Sequence, residues 1–260
     1  MKLYKYKKFP ITNEAQELAS DEGVKGLFEG AAWASSRKYF NDPFDAHINY
    51  TIPTAAELKA LTYQLSEQER LKVKAWVSNG RITDEFAAAW QKMMQDFDTI
   101  VDSYAIYCFA SEPDNNILWS HYANNHTSYC IELESLDFEY THVNYQNTLP
   151  EIAGIDLIKA FNNIDAERVS KSILNGLNTK LMHWQIENEL RHIAKDKLPL
   201  GEKGRKILFP NNSITGIIFG CYVNPRHQSY IIKNFPHKTN FKKAIIDKKS
   251  SRIVIESLSE

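Results

Sequence analysis

Cysteine is scarce in this 260-residue chain: Cys108, Cys130 and Cys221 are the only three. Three widely spaced cysteines build neither a disulfide framework nor a zinc motif. Cys108 and Cys130 each sit inside an apolar run, Tyr107-Cys108-Phe109 and Tyr129-Cys130-Ile131, which reads as buried free thiols in a reducing cytoplasm. Long hydrophobic runs are also missing, and no stretch approaches the roughly 18 apolar residues of a membrane span. Met1 to Lys8 is basic, but no apolar core follows it, so a secretory signal is not expected. Nor is there an excess of one charge. Lys and Arg number 31 against 32 Asp and Glu, a formal net charge of -1, so no global basic field argues for a duplex-binding protein, while local basic patches stay open.

Several motifs are absent as well. Without a Walker loop or a Gly-x-Gly-x-x-Gly, a standard phosphate-loop or Rossmann site is not expected. Without a Gly-x-Ser-x-Gly elbow, Ser111 has no setting as a nucleophile. His121, Asp42 and Glu189 lack His-x-x-x-His or His-x-Glu spacing, so no metal site is expected. Internal repeats and low-complexity tracts are missing too.

The chain does carry 43% hydrophobic and 24% charged residues, the mix of a folded soluble protein. Leu3 to Lys7 alternates as a first strand. Thr12-Asn13-Glu14 caps a helix of one or two turns, and Ala32 to Arg37 reads as a strand leading to an Asn41-Asp42-Pro43 turn. Helical spacing dominates 54–101, with Ala55 to Val77 stopped by Asn79-Gly80, and Asp84 to Val101 capped by Thr83. Leu58, Leu61 and Leu65, then Phe86, Trp90, Met93 and Phe97, form a packing stripe. The period then shortens. Strands are expected at Tyr104 to Ala110, Ser128 to Glu134, Phe138 to Tyr145, Glu187 to Ala194, Lys206 to Phe209, Ile214 to Phe219, Phe241 to Ile246 and Ile253 to Ser257. A short helix carries Trp119, His121 and Tyr122; residues 150–182 read as helical with a break near Asn162-Asn163, and Pro225 to Asn234 as a helix. Many strands with helices in two blocks indicate an α+β fold: a single 1–260 domain with a helical insert at 54–101 and a helical segment at 150–182.

Four islands mix polar and aromatic residues beyond what packing requires. They are Tyr4-Lys5-Tyr6; Phe40-Asn41-Asp42-Pro43-Phe44-Asp45; Ser111 with Trp119-Ser120-His121-Tyr122; and Trp184-Gln185-Ile186-Glu187-Asn188-Glu189-Leu190-Arg191. In the last, Glu187 and Glu189 stand two apart. On a strand they project from one face, repel, and titrate as a coupled pair. Each island has an ordinary use too: an edge strand with lysine outward, a self-satisfied turn, a partly buried histidine, a solvated strand with a Glu-Arg pair.

Together the islands resemble a bacterial family known as domain of unknown function 2971. The matching blocks are Leu3-Tyr4-Lys5-Tyr6, Phe40 to Asp45, Cys108-Phe109-Ala110-Ser111, Leu118-Trp119-Ser120-His121-Tyr122-Ala123, Tyr129-Cys130-Ile131-Glu132, Trp184 with Glu187, Glu189 and Arg191, and Ile214 to Gly220, in that order. Ser128-Tyr129 stands where the family has glycine, and Lys7 where it often has arginine. More distantly, the order of elements is similar to the ADP-ribosyltransferase fold, in its DNA-modifying toxin branch. That resemblance implies a split mixed and antiparallel sheet with helical insertions, NAD as substrate, and an intracellular toxin or phage-defence effector acting on nucleic acid or protein, with an antitoxin among its partners.

Carried over by position, the resemblance makes Glu189 the catalytic carboxylate, with Glu187 or His121 removing the proton of the incoming nucleophile. It implies that Lys5 meets the NAD phosphates and that Tyr6 or Trp119 stacks on nicotinamide. Asn41 and Asp42 would hold adenosine or shape the acceptor site, and Arg191 would orient Glu189. Phe44, Ser111 and Tyr122 complete the expected NAD-binding set. Two other classes fit the same residues: a binding or sensor module without turnover, and a nuclease using Glu187, Glu189, Asp42 and His121 with a divalent cation.

Overall fold

A computed structural model describes residues 1–12, 14–194, 196–199 and 202–258 of the chain. Its centre is a ten-stranded mixed sheet. In chain order the strands are β1 (Leu3–Lys7), β2 (Ala31–Ser36), β3 (Ala105–Ala110), β4 (Tyr129–Leu133), β5 (Thr141–His142), β6 (Glu189–Ile193), β7 (Gly204–Leu208), β8 (Ile214–Phe219), β9 (Asn240–Asp247) and β10 (Arg252–Ser257). The spatial order is β7-β2-β3-β1-β4-β8-β9-β10, with β6 also on β3 and β5 on β6. Only β8 and β9 run parallel within this sheet, joined through helix α9 (Pro225–Asn234). The mixture of antiparallel strands and segregated helices is the α+β class the strand-rich pattern predicts.

The sheet parts at β3. Ala105 and Ile106 pair with Ser36 and Ser35 of β2, while at the other end of the same edge Ala110 pairs with Tyr4 of β1. Between them, Tyr107 to Phe109 have no strand partner on that edge among the described residues. Lys5 reaches into the gap, and its ammonium donates to the Cys108 carbonyl at 2.6 Å. The opposite edge of β3 pairs with β6 over five of its six residues, from Ile193↔Ile106 to Glu189↔Ala110.

The helices are α1 (Ala15–Ser20), α2 (Glu22–Phe28), α3 (Ala55–Leu61), α4 (Glu67–Ala75), α5 (Asp84–Asp102), α6 (Asn116–Tyr122), α7 (Gly154–Phe161), α8 (Ala166–Leu177) and α9. Buried apolar side chains gather in three places. One face of the sheet packs under α1, α2 and α9, with Leu3, Phe109, Tyr129, Ile217 and Ile231. The other face holds Tyr4, Tyr6, Cys130 and Ile218 against Leu118 and Trp119 of α6. The third core is a helical lobe in which Leu58, Phe86, Trp90, Phe97, Leu157 and Ile173 meet, so the two helical blocks share one interior. Of the α5 stripe, Phe86, Trp90 and Phe97 are buried, with Met94 taking the inner place expected for Met93.

Several boundaries differ from the sequence reading. The segment Ala55 to Val77 breaks at residues 62–66, because Ser66 and Glu69 form a second capping box after that of Thr54 and Glu57. Asn79-Gly80 turns a two-residue hairpin of Val77–Ser78 and Arg81–Ile82 rather than simply ending a helix. After Asp21, which caps α2 through the Val24 amide, comes a helix the sequence reading lacks. Glu14 stands at the N-cap of α1, with the Thr12 hydroxyl accepting from its amide, and Asn13 lies outside the described residues. Phe138 to Tyr145 narrows to Thr141–His142 and Asn144–Gln146. The block 150–182 holds α7 and α8 but ends in a strand, Thr179–Leu181, parallel to Asn144–Gln146.

Candidate functional site

Where the sheet parts, a cleft of about 510 Å³ opens, lined by Tyr4, Lys5, Tyr6, Cys108 and Leu118 on one side and Tyr39, Phe40, Asn41 and Asp45 on another. Lys8, Phe109, Ala110, His121, Tyr122, Lys180, Glu187 and Glu189 complete it. The acidic side is built by four chain segments that meet through charge.

The octet behaves differently from the continuous strand its parity suggests. Met182–Glu187 is a 3-10 helix, Asn188 adopts left-handed backbone at φ 44°, and β6 begins only at Glu189. Asparagine tolerates that conformation better than most residues. The turn brings Glu187 and Glu189 together by another route. Lys180, from the short strand after α8, donates to Glu187 Oε2 at 2.6 Å and to Glu189 Oε2 at 2.9 Å. It also stands 3.2 Å from Asp45 Oδ2 and 5.1 Å over the Trp184 ring.

Arg191 follows Glu189 at the same parity on β6. Its Nε donates to Glu189 Oε1 at 2.6 Å, Nη1 to the Leu177 carbonyl at 2.7 Å, and Nη2 to Asp45 Oδ1. Phe40 covers the guanidinium from 5.7 Å. Tyr122 donates to Glu187 Oε1 at 3.0 Å, and the Glu189 amide donates to Tyr145 Oη at 2.8 Å. Three carboxylates and two cations are thus buried together with a formal charge of -1, and all five are less than 10% exposed. Such a cluster persists only when nearly every charge is paired and hydrogen-bonded.

Burial pushes the Glu189 carboxyl up, but Arg191 and Lys180 outweigh it and bring it down to about 2. Burial likewise opposes the charge on Lys180, yet Glu189, Asp45 and Glu187 hold its ammonium above the ordinary lysine range. Burial, with Glu187 nearby, pushes the Tyr122 phenol up, and burial raises the Cys108 thiol. Glu189 is therefore a permanent anion near neutral pH, and Cys108 a protonated thiol.

Of the sequence-predicted residues, Glu187, Glu189, His121, Lys5, Tyr6, Asn41 and Tyr122 line the cleft. Trp119 does not: it is fully buried, its indole donates to the Pro113 carbonyl, and it meets Tyr6 edge-on, so it has no free face for nicotinamide. The Tyr6 hydroxyl is taken by the Glu112 carbonyl. Asp42 lies outside the lining, accepting from the Trp184 indole at 2.6 Å and the Phe44 amide at 2.9 Å; it ties the 40–45 loop to the 3-10 helix. The Phe44 side chain is exposed, 52%, and stands off the cleft. Ser111 is outside the lining, its buried hydroxyl without a hydrogen-bond partner among the described residues. Arg191 lies beneath the floor and touches the acids rather than the cleft.

Sequence reasoning missed Lys180 and Tyr145 and left Asp45 without a role. Asp45 closes the Phe40–Asp45 island, and that position was its only signal. Comparison with family models, curated proteins and solved structures gives no match for this chain. Among the described residues, no helix is long and apolar enough to cross a membrane, and no group of three or more His, Cys, Asp or Glu is arranged to hold a metal ion. The space between the three carboxylates, where a divalent cation would bind, is taken by the Lys180 ammonium.

Proposed function

We propose that this chain, as a member of the bacterial family of domain of unknown function 2971, is an ADP-ribosyltransferase-like enzyme that cleaves NAD. The observation that carries the reading is the acidic cluster of formal charge -1 facing a cleft at the parting of the sheet, with Glu189 held ionised. Breaking the nicotinamide-ribose bond sends the electron pair out with nicotinamide and leaves a ribosyl cation. A carboxylate fixed beforehand beside that cation stabilises it more than the ground state, which lowers the barrier. Glu189 supplies that charge, and Lys180 and Arg191 hold it still. Glu187 takes the proton of the acceptor as its oxygen bonds to the ribose carbon, with Tyr122 and Lys180 orienting it. Lys5 and Lys8 supply cations for the diphosphate, and Tyr39 and Phe40 supply aromatic surface for a base.

The acceptor is nucleic acid or protein, or water in an NAD glycohydrolase variant. In the same proposal the protein is a cytoplasmic toxin or phage-defence effector, and the lobe of α3 to α5 is where an antitoxin or other partner is recognised. One observation favours a second reading, a nucleotide-binding module without turnover: each Glu189 oxygen already accepts from a cation.

The test is a mass-resolved NAD assay, with and without cell lysate, on the native chain and on Glu189→Gln. The proposal expects nicotinamide release that the substitution abolishes while the fold persists. Undiminished release by the folded Glu189→Gln chain would falsify the catalytic role. NAD bound without turnover by the native chain would select the binding module.

A further inference from the structure

The near-neutral total conceals a charge division along the chain. Residues 225–257 carry eight Lys and Arg (Arg226, Lys233, Lys238, Lys242, Lys243, Lys248, Lys249, Arg252) against two acids, Asp247 and Glu256, a formal +6. The rest of the chain holds 23 Lys and Arg against 30 Asp and Glu, a formal -7.

Two of those eight cations, Lys243 and Arg252, lie on the α9 face of the sheet, and five more are exposed on α9 itself and in the segments flanking β9. Phe241 of β9 stacks on Phe219 and meets Phe235 edge-on, on the face that α9 covers. By strand alternation Lys243 shares that face. Arg252 pairs with Asp247, four positions beyond Lys243 in the same parity, so it belongs there too. Arg226 and Lys233 are exposed on α9, Lys238 is exposed on the loop into β9, and Lys248 and Lys249 are exposed in the turn before β10. Lys242 points the other way and pairs with Glu132. None of the seven forms an ion pair among the described residues. Asp247 is occupied locally, accepting from the Lys249 amide and the Ser250 hydroxyl, while Glu256 stands opposite Lys243.

We infer that this face, from α9 across β9 to the β9–β10 turn, is a docking surface for the phosphate backbone of nucleic acid. The eight residues of β9 separate Lys238 from Lys248 by roughly 25 Å, an extended row of cations rather than a point site. Phosphate backbones are bound by such rows without any apolar anchor. A protein partner or a membrane would call for apolar or aromatic anchors, whereas here Ile232 and Val254 are each 40% exposed and no aromatic in 225–257 is among the exposed large side chains. Protection of the edge strand does not account for the pattern, since β10 itself holds only Arg252 and the other six lie on α9, the loop, β9 and the turn. The inference is independent of NAD cleavage, and the Glu189→Gln chain keeps this surface.

The experiment is fluorescence anisotropy of a labelled DNA duplex with the full chain. Two variants probe the face: Lys248→Glu with Lys249→Glu and Arg252→Glu, and separately Lys233→Glu with Lys238→Glu. A control carries Lys59→Glu, Lys72→Glu and Lys74→Glu on the helical lobe. Native affinity is expected to fall at least about tenfold between roughly 50 and 200 mM salt, and each face variant to weaken binding by about tenfold or more while the control stays near native. Absence of binding at the lower salt, equal loss in the control, or capture by phosphatidylserine vesicles instead of DNA would each overturn it. Two face variants at opposite ends of the row keep the test decisive if one misfolds.

Discussion

Two carboxylates are buried in the same sheet and held by two cations each, yet their surroundings differ. Glu132 of β4 is 2% exposed and accepts from Lys2 at 2.9 Å, Lys242 at 2.7 Å and the Thr215 hydroxyl at 3.1 Å. Gly216, its cross-strand neighbour, leaves room for the side chain: a Cβ there would come within 3.2 Å of it. Glu189 of β6 also has two cations, but it shares them with Asp45 and Glu187. The Glu132 group has more cations than acids, and Lys2 is 45% exposed, so water completes its solvation. The Glu189 group has more acids than cations, its cations are 4% exposed or less, and it faces a cleft. Burial of a carboxylate is thus not the mark of a site. What sets the Glu189 group apart is a buried excess of negative charge beside an open volume.

The comparison breaks most sharply at Arg191. Replacing it with Met leaves Asp45 and Glu189 buried with only Lys180 to share. Removing one partner of a buried ion pair typically costs about 3–5 kcal/mol, and we expect a loss of that size in urea unfolding of Arg191→Met. Adding Glu189→Gln to that variant should restore part of it, because the stranded charge is then gone. A loss below about 1 kcal/mol would mean that water reaches the cluster.

Acid tests the same contrast. Glu189 titrates at about 2 in the fold and at the ordinary 4.5 when unfolded. A depressed carboxyl contributes stability that is fully present above the unfolded value and is lost as pH falls through the folded one. The window is therefore between about pH 4.5 and 2, and the contribution is on the order of 3 kcal/mol. Thermal unfolding across that window should show a steep slope that Glu189→Gln flattens. An unchanged slope would place the acid sensitivity elsewhere.

Half of this cluster was legible in the sequence. Glu189 and Arg191 share a strand face by their spacing, and the side chains do meet. Glu187 joins them against that logic, because Asn188 breaks the parity and Lys180 restores the contact. Lys180 was hidden because its strand has three residues, too few to show a period, and follows directly on α8. Its strand partner, Tyr145, lies far back in the chain. The split of the sheet, which only the resemblance implied, has no mark in the local pattern for a related reason. It depends on β1 and β2 sharing one edge of β3, a pairing choice that no local pattern in any of the three strands records. Strand existence, by contrast, rests on local alternation, and β1, β3, β4 and β8 were readable within a residue or two.

The smallest effect belongs to Glu132, and it sharpens the comparison from the other side. Burial pushes that carboxyl up, but its hydrogen bonds to Lys242 and Lys2 outweigh this and leave it lowered. In Glu132→Gln the amide oxygen still accepts from one donor, and Lys2, already half in water, regains its hydration. The net loss should be about 1 kcal/mol, as for an ordinary hydrogen-bonded pair. Lys242, 19% exposed, sets the upper bound, since it alone is left partly buried without an anion. On the proposed NAD-cleaving reading, turnover should be untouched, because Glu132 lies outside the cleft lining. If Glu132→Gln lowered turnover as far as Glu189→Gln, the distinction between a buried carboxylate with surplus cations and one short of them would fail, and both carboxylates would have to be treated as parts of one electrostatic unit spanning β4, β1, β3 and β6.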